Sequence, residues 1–412
     1  MPASAQPLFF QTVEQRTALA RQRFFEEGER PSGLVNEAVI QSWMRCTGAR
    51  RNSAEPIAFD PVTRSRMHAC LTRNQQLLAA GNEELQQLAT ALSGTNCRVL
   101  LTDPQGVVIH ASAPTGSATQ PLLNVACRVG VSLAESDIGT TAPGIVAKTA
   151  VLCAVSGGEH YHDMLQRMHC AAAPIRDVHG RLAGVLDVSI EGNGFGFDAG
   201  ALVALYASTI ENHLLRLQSP AHLVLQFQAS PKVLGTPLEA LAGVDVAGRL
   251  TWLNPVAQRL TGAALDQTTD VAEVFGQPLD ALLALHREPA PRAWRLPNGL
   301  TVWVRAHIGV ADGVDFNHAV ALAEQVAVAT ASDVAAPTPA ATVVHSASHL
   351  PDSTPEPATA ATLDHHRDRA IQAALQASGG NIARAARQLG VSRGLLYRRL
   401  RAQGDDPARG SD

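Results

Sequence analysis

The sequence predicts a multidomain α+β chain: a helical N-terminal region, two units mixing strands with helices, a flexible linker, and an all-α C-terminal segment. Three observations predict it. Apolar spacing follows the helical period through the first ninety residues, changes near Arg98 to short strand-like runs, and becomes helical again after residue 363. At 412 residues the chain exceeds one ordinary core. Between 313 and 362 it is dominated by Ala, Val, Thr, Ser and Pro, which cannot bury a core and read as a tether.

Within 1–95, residues 11–27 and 60–92 carry long amphipathic patterns, with breaks at Pro31-Ser32 and Arg50-Arg51-Asn52. The second part, 96–218, opens with a β-hairpin. Residues 98–102 and 107–111 are its strands, and Asp103-Pro104-Gln105-Gly106 is its turn. Further strands are expected at 150–155, 170–176 and 182–190, and a helix over 198–217 closes the unit. The third part, 221–312, has a hairpin from 240–246 and 249–253 and a short helix over 255–261. Another hairpin follows, from 294–296 and 300–307, split by Pro297-Asn298-Gly299.

The final part, 363–412, reads as a helix–turn–helix. Ile371, Ala374 and Leu375 form one apolar stripe, stopped by Gly379-Gly380. Asn381 caps a second helix with Ile382, Ala385, Ala386 and Leu389 inward; the Ala pair permits a close helix crossing. Gly390-Val391 makes the turn and Ser392 caps the third helix. There Leu396 and Leu400 point inward, leaving Arg393, Tyr397, Arg398, Arg399 and Arg401 free to face out. An acid-free basic face on such a helix is what major-groove docking requires.

Composition narrows the function classes. With 33 basic and 37 acidic residues the net charge is −4, so the positive charge is local, as site-specific binding of double-stranded DNA needs. No apolar run reaches the length of a membrane span, and the N-terminus lacks the pattern of a signal peptide, which predicts a cytoplasmic protein without a membrane partner. Cys46, Cys70, Cys97, Cys127, Cys153 and Cys170 are scattered singly and read as reduced core residues.

The C-terminal segment, through GN-x-x-x-AA-x-x-LG-V-S-R and LYRRL, closely resembles the Fis-type helix–turn–helix that closes many bacterial enhancer-binding regulators. That resemblance implies a dimer and places Asn381, Ser392, Arg393, Gly394, Leu395, Tyr397, Arg398, Arg399 and Arg401 at the DNA. Gly394-Leu395 departs from the family, which usually carries a polar pair there. Upstream, several blocks appear in order. They are Ser42-Trp43-Met44-Arg45-Cys46, the run Ile138 to Gly144, Gly158-Glu159-His160-Tyr161, the run Cys170 to Asp177, and Gly184 to Ser189. Together they resemble the N-terminal half of the acetoin-catabolism regulator group, whose sensor is a GAF domain. Residues 244–262 are similar to the opening of a PAS core on one block alone, so the third part reads as a degenerate PAS-like domain. The resemblance covers roughly 35–218, 236–310 and 363–403.

It implies a small-molecule effector, at family level an acetoin-like or aromatic compound, with Glu135, Thr140, Thr141, His160 and Cys170 as candidate pocket residues. A structural role competes for each of them. Gly139 and Gly144 as turn residues, and Asp187 as the cap of a backbone bend, belong to that competing reading. A metal site in Glu159-His160-Tyr161-His162-Asp163 with His169-Cys170 matches no dedicated zinc or iron spacing. No catalytic fingerprint appears, and no cofactor is implied. His169 and Cys170, neighbours on a strand, point to opposite faces.

Regulators of this group usually carry an ATPase between sensor and helix–turn–helix. Its phosphate loop needs G-x-x-x-x-G-K-[ST]. The two lysines, Lys148 and Lys232, stand after Ala147 and Pro231, so neither completes that motif. The expectation is therefore DNA occupancy biased by an effector and without ATP hydrolysis, acting through dimer geometry or direct recruitment of RNA polymerase. The alternative is an adaptor that heterodimerises with an ATPase-containing regulator.

Overall fold

A computed structural model describes residues 12–114, 120–264 and 269–308, together with residues 372, 374–376, 378, 384 and 385. The chain divides into two compact units, the first running to Gln218 and taking in Thr236–Leu238, the second made of Ser219–Gly235 and the chain from Glu239 onward.

Four helices open the first unit. Helix α1 (Val13–Arg21) is capped by Thr12, whose hydroxyl accepts from Gln15 N, and it runs into a π-helical turn over Gln22–Glu26. Helix α2 (Glu37–Gly48) is capped by Asn36 and buries Val39, Ile40, Trp43 and Cys46. The amphipathic stretch 60–92 divides into α3 (Arg64–Arg73) and α4 (Gln75–Ala91). Asn74 makes the break: it has left helical geometry, and its side-chain amide donates to Cys70 O at 2.8 Å.

The expected hairpin forms as β1 (Arg98–Thr102) and β2 (Val108–Ala111). Three helices follow: α5 (Pro121–Ala126), α6 (Glu135–Ile138) and α7 (Ala142–Thr149). The expected strand at 150–155 begins three residues late, as β3 (Cys153–Ser156). Its apolar start is spent otherwise, because Ala150 takes a left-handed φ of 51° to end α7, and Val151 is 63% exposed. Strands β4 (Met168–Arg176) and β5 (Leu182–Glu191) and helix α8 (Ala199–Leu217, capped by Asp198) lie where the pattern predicts them.

The sheet is antiparallel in the order β2-β1-β5-β4-β3. Both faces are covered. Val99, Leu101, Leu186, Val188 and Ile175 form a core with residues of α4 and α8. Leu100, Val185, Cys170, Ala172 and Val155 form a second core with residues of α2, α5 and α7. Gly184 permits the closest approach on the first face, where an added Cβ would lie 2.6 Å from Thr102 O and from Leu77 Cδ2.

The second unit repeats the principle in another strand order. Strand β6 (Leu223–Gln228) is central and was not expected, although Leu223, Leu225 and Phe227 alternate with Val224, Gln226 and Gln228. Strands β7 (Ala240–Val244) and β8 (Leu250–Leu253) and helix α9 (Pro255–Thr261) follow as read from sequence. Helices α10 (Val271–Phe275) and α11 (Leu279–Ala284) precede the edge hairpin β9 (Arg292–Arg295) and β10 (Thr301–Ile308). The antiparallel order is β8-β7-β6-β10-β9. Gly243 is required here because Trp252 lies over it, with indole atoms 2.1–2.8 Å from where a Cβ would stand. The same indole donates to Ser219 Oγ at 2.8 Å. Among the described residues no helix is long and apolar enough to cross a membrane.

The C-terminal segment is described at a few positions. Residues 372, 374–376, 384 and 385 are helical, and Ala374 and Ala385 are buried, as the two apolar stripes predict. The tether 313–362 lies outside the described residues.

Candidate functional sites

The interior of the first unit gathers polar groups on one sheet face. Cross-strand pairing sets Arg98 beside Ser189, Leu100 beside Asp187 and Thr102 beside Val185. On the other side of β5, Cys170 faces Ser189 and Ala172 faces Asp187. Strand alternation therefore turns Arg98, Thr102, Asp187, Ser189 and Cys170 toward the helices α5 and α7. All five are buried.

Their hydrogen bonding is incomplete. Ser189 Oγ donates to Asp187 Oδ2 at 2.6 Å, while among the described residues Asp187 Oδ1, Thr102 Oγ1 and Arg98 Nε have no partner. The rest of the Arg98 fork donates to Ser112 O at 2.6 Å, Cys127 O at 3.0 Å and Asn124 Oδ1 at 3.3 Å. Burial drives the Asp187 carboxyl up to about 7, opposed only by the Ser189 hydrogen bond. Asp187 is thus not the cap of a bend: it lies mid-strand with its carboxyl in the core. Sequence reading missed this row because its members come from strands far apart in the chain; the polar residues at alternate positions of β5 (Asp187, Ser189, Glu191) were its one signal.

His160 and Cys170 meet on the same face, with His160 Nε2 3.7 Å from Cys170 Sγ and His160 Nδ1 3.0 Å from Gly157 O. Burial pushes the imidazole down to about 4 and the thiol well above its ordinary value. At neutral pH both are uncharged, unlike the thiolate of an activated nucleophile. His169 points away, to Gly192 O at 3.1 Å. The stretch 157–165 holds two 3-10 turns, so His160 and His162 are not alternate residues of a strand. Among the described residues no group of three His, Cys, Asp or Glu side chains is placed to hold a metal ion.

Glu135, Thr140 and Thr141 serve the helices. Glu135 is 5% exposed and accepts from Arg45 Nε at 2.6 Å, Arg45 Nη2 at 2.7 Å and Ser42 Oγ at 2.6 Å. Thr140 shares a hydrogen bond of 2.8 Å with Ser42, and Thr141 caps α7 through Gly144 N. This bidentate pair docks α2 on the segment that begins α6. Glu135→Ala should destabilise the unit by about 2–3 kcal/mol, below the value of a fully buried pair because Arg45 is partly exposed. Urea denaturation reads this, and a loss within error would show that the pair contributes nothing.

A second anchor fixes α1. Arg21 donates to Gly158 O at 3.0 Å, to His160 O at 2.6 Å and to Asp163 Oδ1 at 2.7 Å, and its guanidinium lies 4.6 Å from the centroid of the Phe25 ring. The segment carrying His160 is thereby held from outside.

Asn381, Ser392, Arg393, Gly394, Leu395, Tyr397, Arg398, Arg399 and Arg401 all lie outside the described residues.

An α+β unit and, C-terminal to it, a Fis-type segment are the two parts of the chain that resemble DNA-binding transcription regulators. Residues 12–204 match the family model described as MimR, N-terminal domain, and residues 368–402 match Bacterial regulatory protein, Fis family. The chain is 28% identical over 257 residues to the acetoin catabolism regulatory protein of Cupriavidus necator, covering 60% of this chain and 38% of that one. It is 25% identical over 327 residues to the propane 2-monooxygenase operon transcriptional activator MimR of Mycolicibacterium smegmatis, covering 76% and 52%. The chain therefore spans about half or less of the length of these relatives. Among solved structures, the E. coli DhaR(N)-DhaL complex aligns with a TM-score of 0.41 and 16% identity, covering 66% of this chain and 99% of that one. The homologues are thus acetoin- and MimR-type transcriptional activators with a Fis-type helix–turn–helix.

Proposed function

We propose that this protein is a cytoplasmic transcription regulator in which a small effector, held by a GAF-type first unit, biases occupancy of a DNA site by a dimeric Fis-type helix–turn–helix. The observation that carries the reading is the presence in one chain of both matches, the sensor type at 12–204 and the Fis type at 368–402. The absence of ATP hydrolysis is part of the proposal. Its support is internal to the chain, since neither lysine between the two matched segments and within the first stands in a phosphate-loop motif. Output then runs through dimer geometry or direct recruitment of RNA polymerase. The second unit is the degenerate PAS-like domain of this scheme.

The effector site is the row of incompletely bonded groups, Asp187, Thr102 and Arg98, with His160 and Cys170 on the same face. Buried polar atoms without partners are costly, and a ligand that satisfies them recovers that cost as affinity.

Two recognition helices of a dimer would meet major grooves roughly 34 Å apart. The full chain, titrated by fluorescence anisotropy with selected duplexes, is expected to bind with strong salt dependence. Changing Arg398 and Arg399 to alanine should weaken all sequences alike and flatten the salt slope by about one unit per lost phosphate contact. Binding that ignores both sequence and salt sinks the reading.

A further inference from the structure

Helix α3 carries Arg66, Cys70 and Arg73 at i, i+4 and i+7, the spacing of one helix face. With Asp103, Gln105 and Val107 of the β1–β2 turn they line a half-open cavity of about 280 Å³. This volume is metabolite-sized and separate from the row of buried groups on the far face of the sheet.

The cavity floor is already satisfied. Asp103 is buried, and its Oδ1 accepts from Gln105 N and Val107 N, both at 2.9 Å. Its Oδ2 accepts from Cys70 Sγ at 3.0 Å. Burial and the neighbouring carboxylate raise the Cys70 thiol to about 11, so it adds no negative charge. Asp103 is thus committed to holding the turn.

The rim is different. Arg66 and Arg73 are exposed, and among the described residues neither makes an ion pair or a side-chain hydrogen bond. Their Cα atoms stand about 10 Å apart along the helix, and the long side chains let both forks close on one ligand. Guanidinium groups recognise carboxylate and phosphate oxygens in bidentate geometry. Two such forks against one committed carboxylate leave the cavity positive.

We propose that this cavity binds a small polyanion, a metabolite carrying at least two carboxylate or phosphate groups, with Arg66 and Arg73 as its bidentate donors. The site lies outside the effector face and the helix–turn–helix, and it joins α3 to the turn whose Gly106 packs against Ala134 at the start of α6. Occupancy there ties α3 to the hairpin and gives the first unit a second chemical input.

The full chain should be titrated calorimetrically with citrate, malonate, inorganic phosphate and pyrophosphate at constant ionic strength, with chloride as the control. Saturable binding of either the carboxylates or the phosphates supports the site and tells which chemistry it takes. The doubly substituted R66Q/R73Q chain should then bind roughly tenfold more weakly or worse, while R64Q, an exposed arginine of the same helix outside the lining, keeps its affinity. Circular dichroism and ligand-free melting of R66Q/R73Q should match the parent, because both arginines are exposed. No saturable heat with any of the four anions, or equal affinity in the parent and R66Q/R73Q, overturns the proposal. DNA affinity measured on the same samples reports separately on the regulator reading, so the two can fail independently.

Discussion

Replacing Trp43 by alanine is expected to destabilise the first unit by about 3–5 kcal/mol, the range for deleting a large buried aromatic side chain. Trp43 is fully buried, with the rings of Phe24 and Phe25 at 5.3 Å and 5.2 Å. Its indole donates to Glu159 O at 2.8 Å. The ring therefore joins three pieces: the π-helical turn after α1, helix α2, and the segment that presents His160. Alanine removes the packing and leaves the Glu159 carbonyl without its donor. Trp43→Phe separates the two effects, since it keeps most of the apolar contact and should lose about 1–2 kcal/mol with the hydrogen bond and residual volume. Urea denaturation monitored by circular dichroism reads both. A loss below about 1 kcal/mol for Trp43→Ala would mean that the aromatic cluster does not hold α1 and α2 to the unit.

The second large effect is on pH dependence and belongs to Asp187. Its folded carboxyl titrates at about 7, against an ordinary value of 3.8. Between those values the folded state holds a proton that the unfolded state has released, so raising the pH withdraws stability. The penalty is absent below pH 4, grows by about 1.4 kcal/mol per unit up to pH 7, and is flat above. Asp187→Asn removes that titration. Asparagine brings its own fixed offset by burying an amide where Oδ1 had no partner. The slope carries the prediction: the stability difference between the variant and the parent should move in favour of the variant from pH 5 to pH 8. A difference independent of pH would show that Asp187 titrates normally and that its side chain reaches water. His160 acts in the opposite sense, since its folded value near 4 lies below the ordinary 6.5 and its contribution rises with pH across that window. The comparison of parent with variant cancels it.

How much of this was legible depended on how local each signal is. The β1–β2 turn, helices α8 and α9, and strands β4 and β5 all lie where sequence patterns place them, because turn residues, helical spacing and alternation act over a few positions. Helix α7 was missed although Thr141-Ala142-Pro143 carries an N-cap followed by an early proline, and its end then passed for the start of β3. Central strand β6 was overlooked because Leu223-Val224-Leu225 is a short apolar run whose alternation emerges only over all six residues.

The candidate residues divide in the same way. Glu135 and Thr140 were singled out from a resemblance, and their hydrogen bonds go to Ser42 and Arg45, in another block of that resemblance. Cys170 was weighed against its neighbour His169, yet it meets His160, brought in from a turn ten residues earlier.

By itself the sequence determined the helix–turn–helix, the local hairpins and the absence of a phosphate-loop lysine. Caps, glycine turns and apolar stripes are fixed by neighbours within a few residues. Only the tertiary structure decided that Arg98, Thr102 and Asp187 share one buried face, and that Arg66 and Arg73 flank a cavity with Asp103 at its floor. Strand pairing and helix packing set those neighbours between residues distant in the chain. Once side by side in the core, groups that would be unremarkable in water acquire unmet hydrogen bonds and a displaced proton affinity.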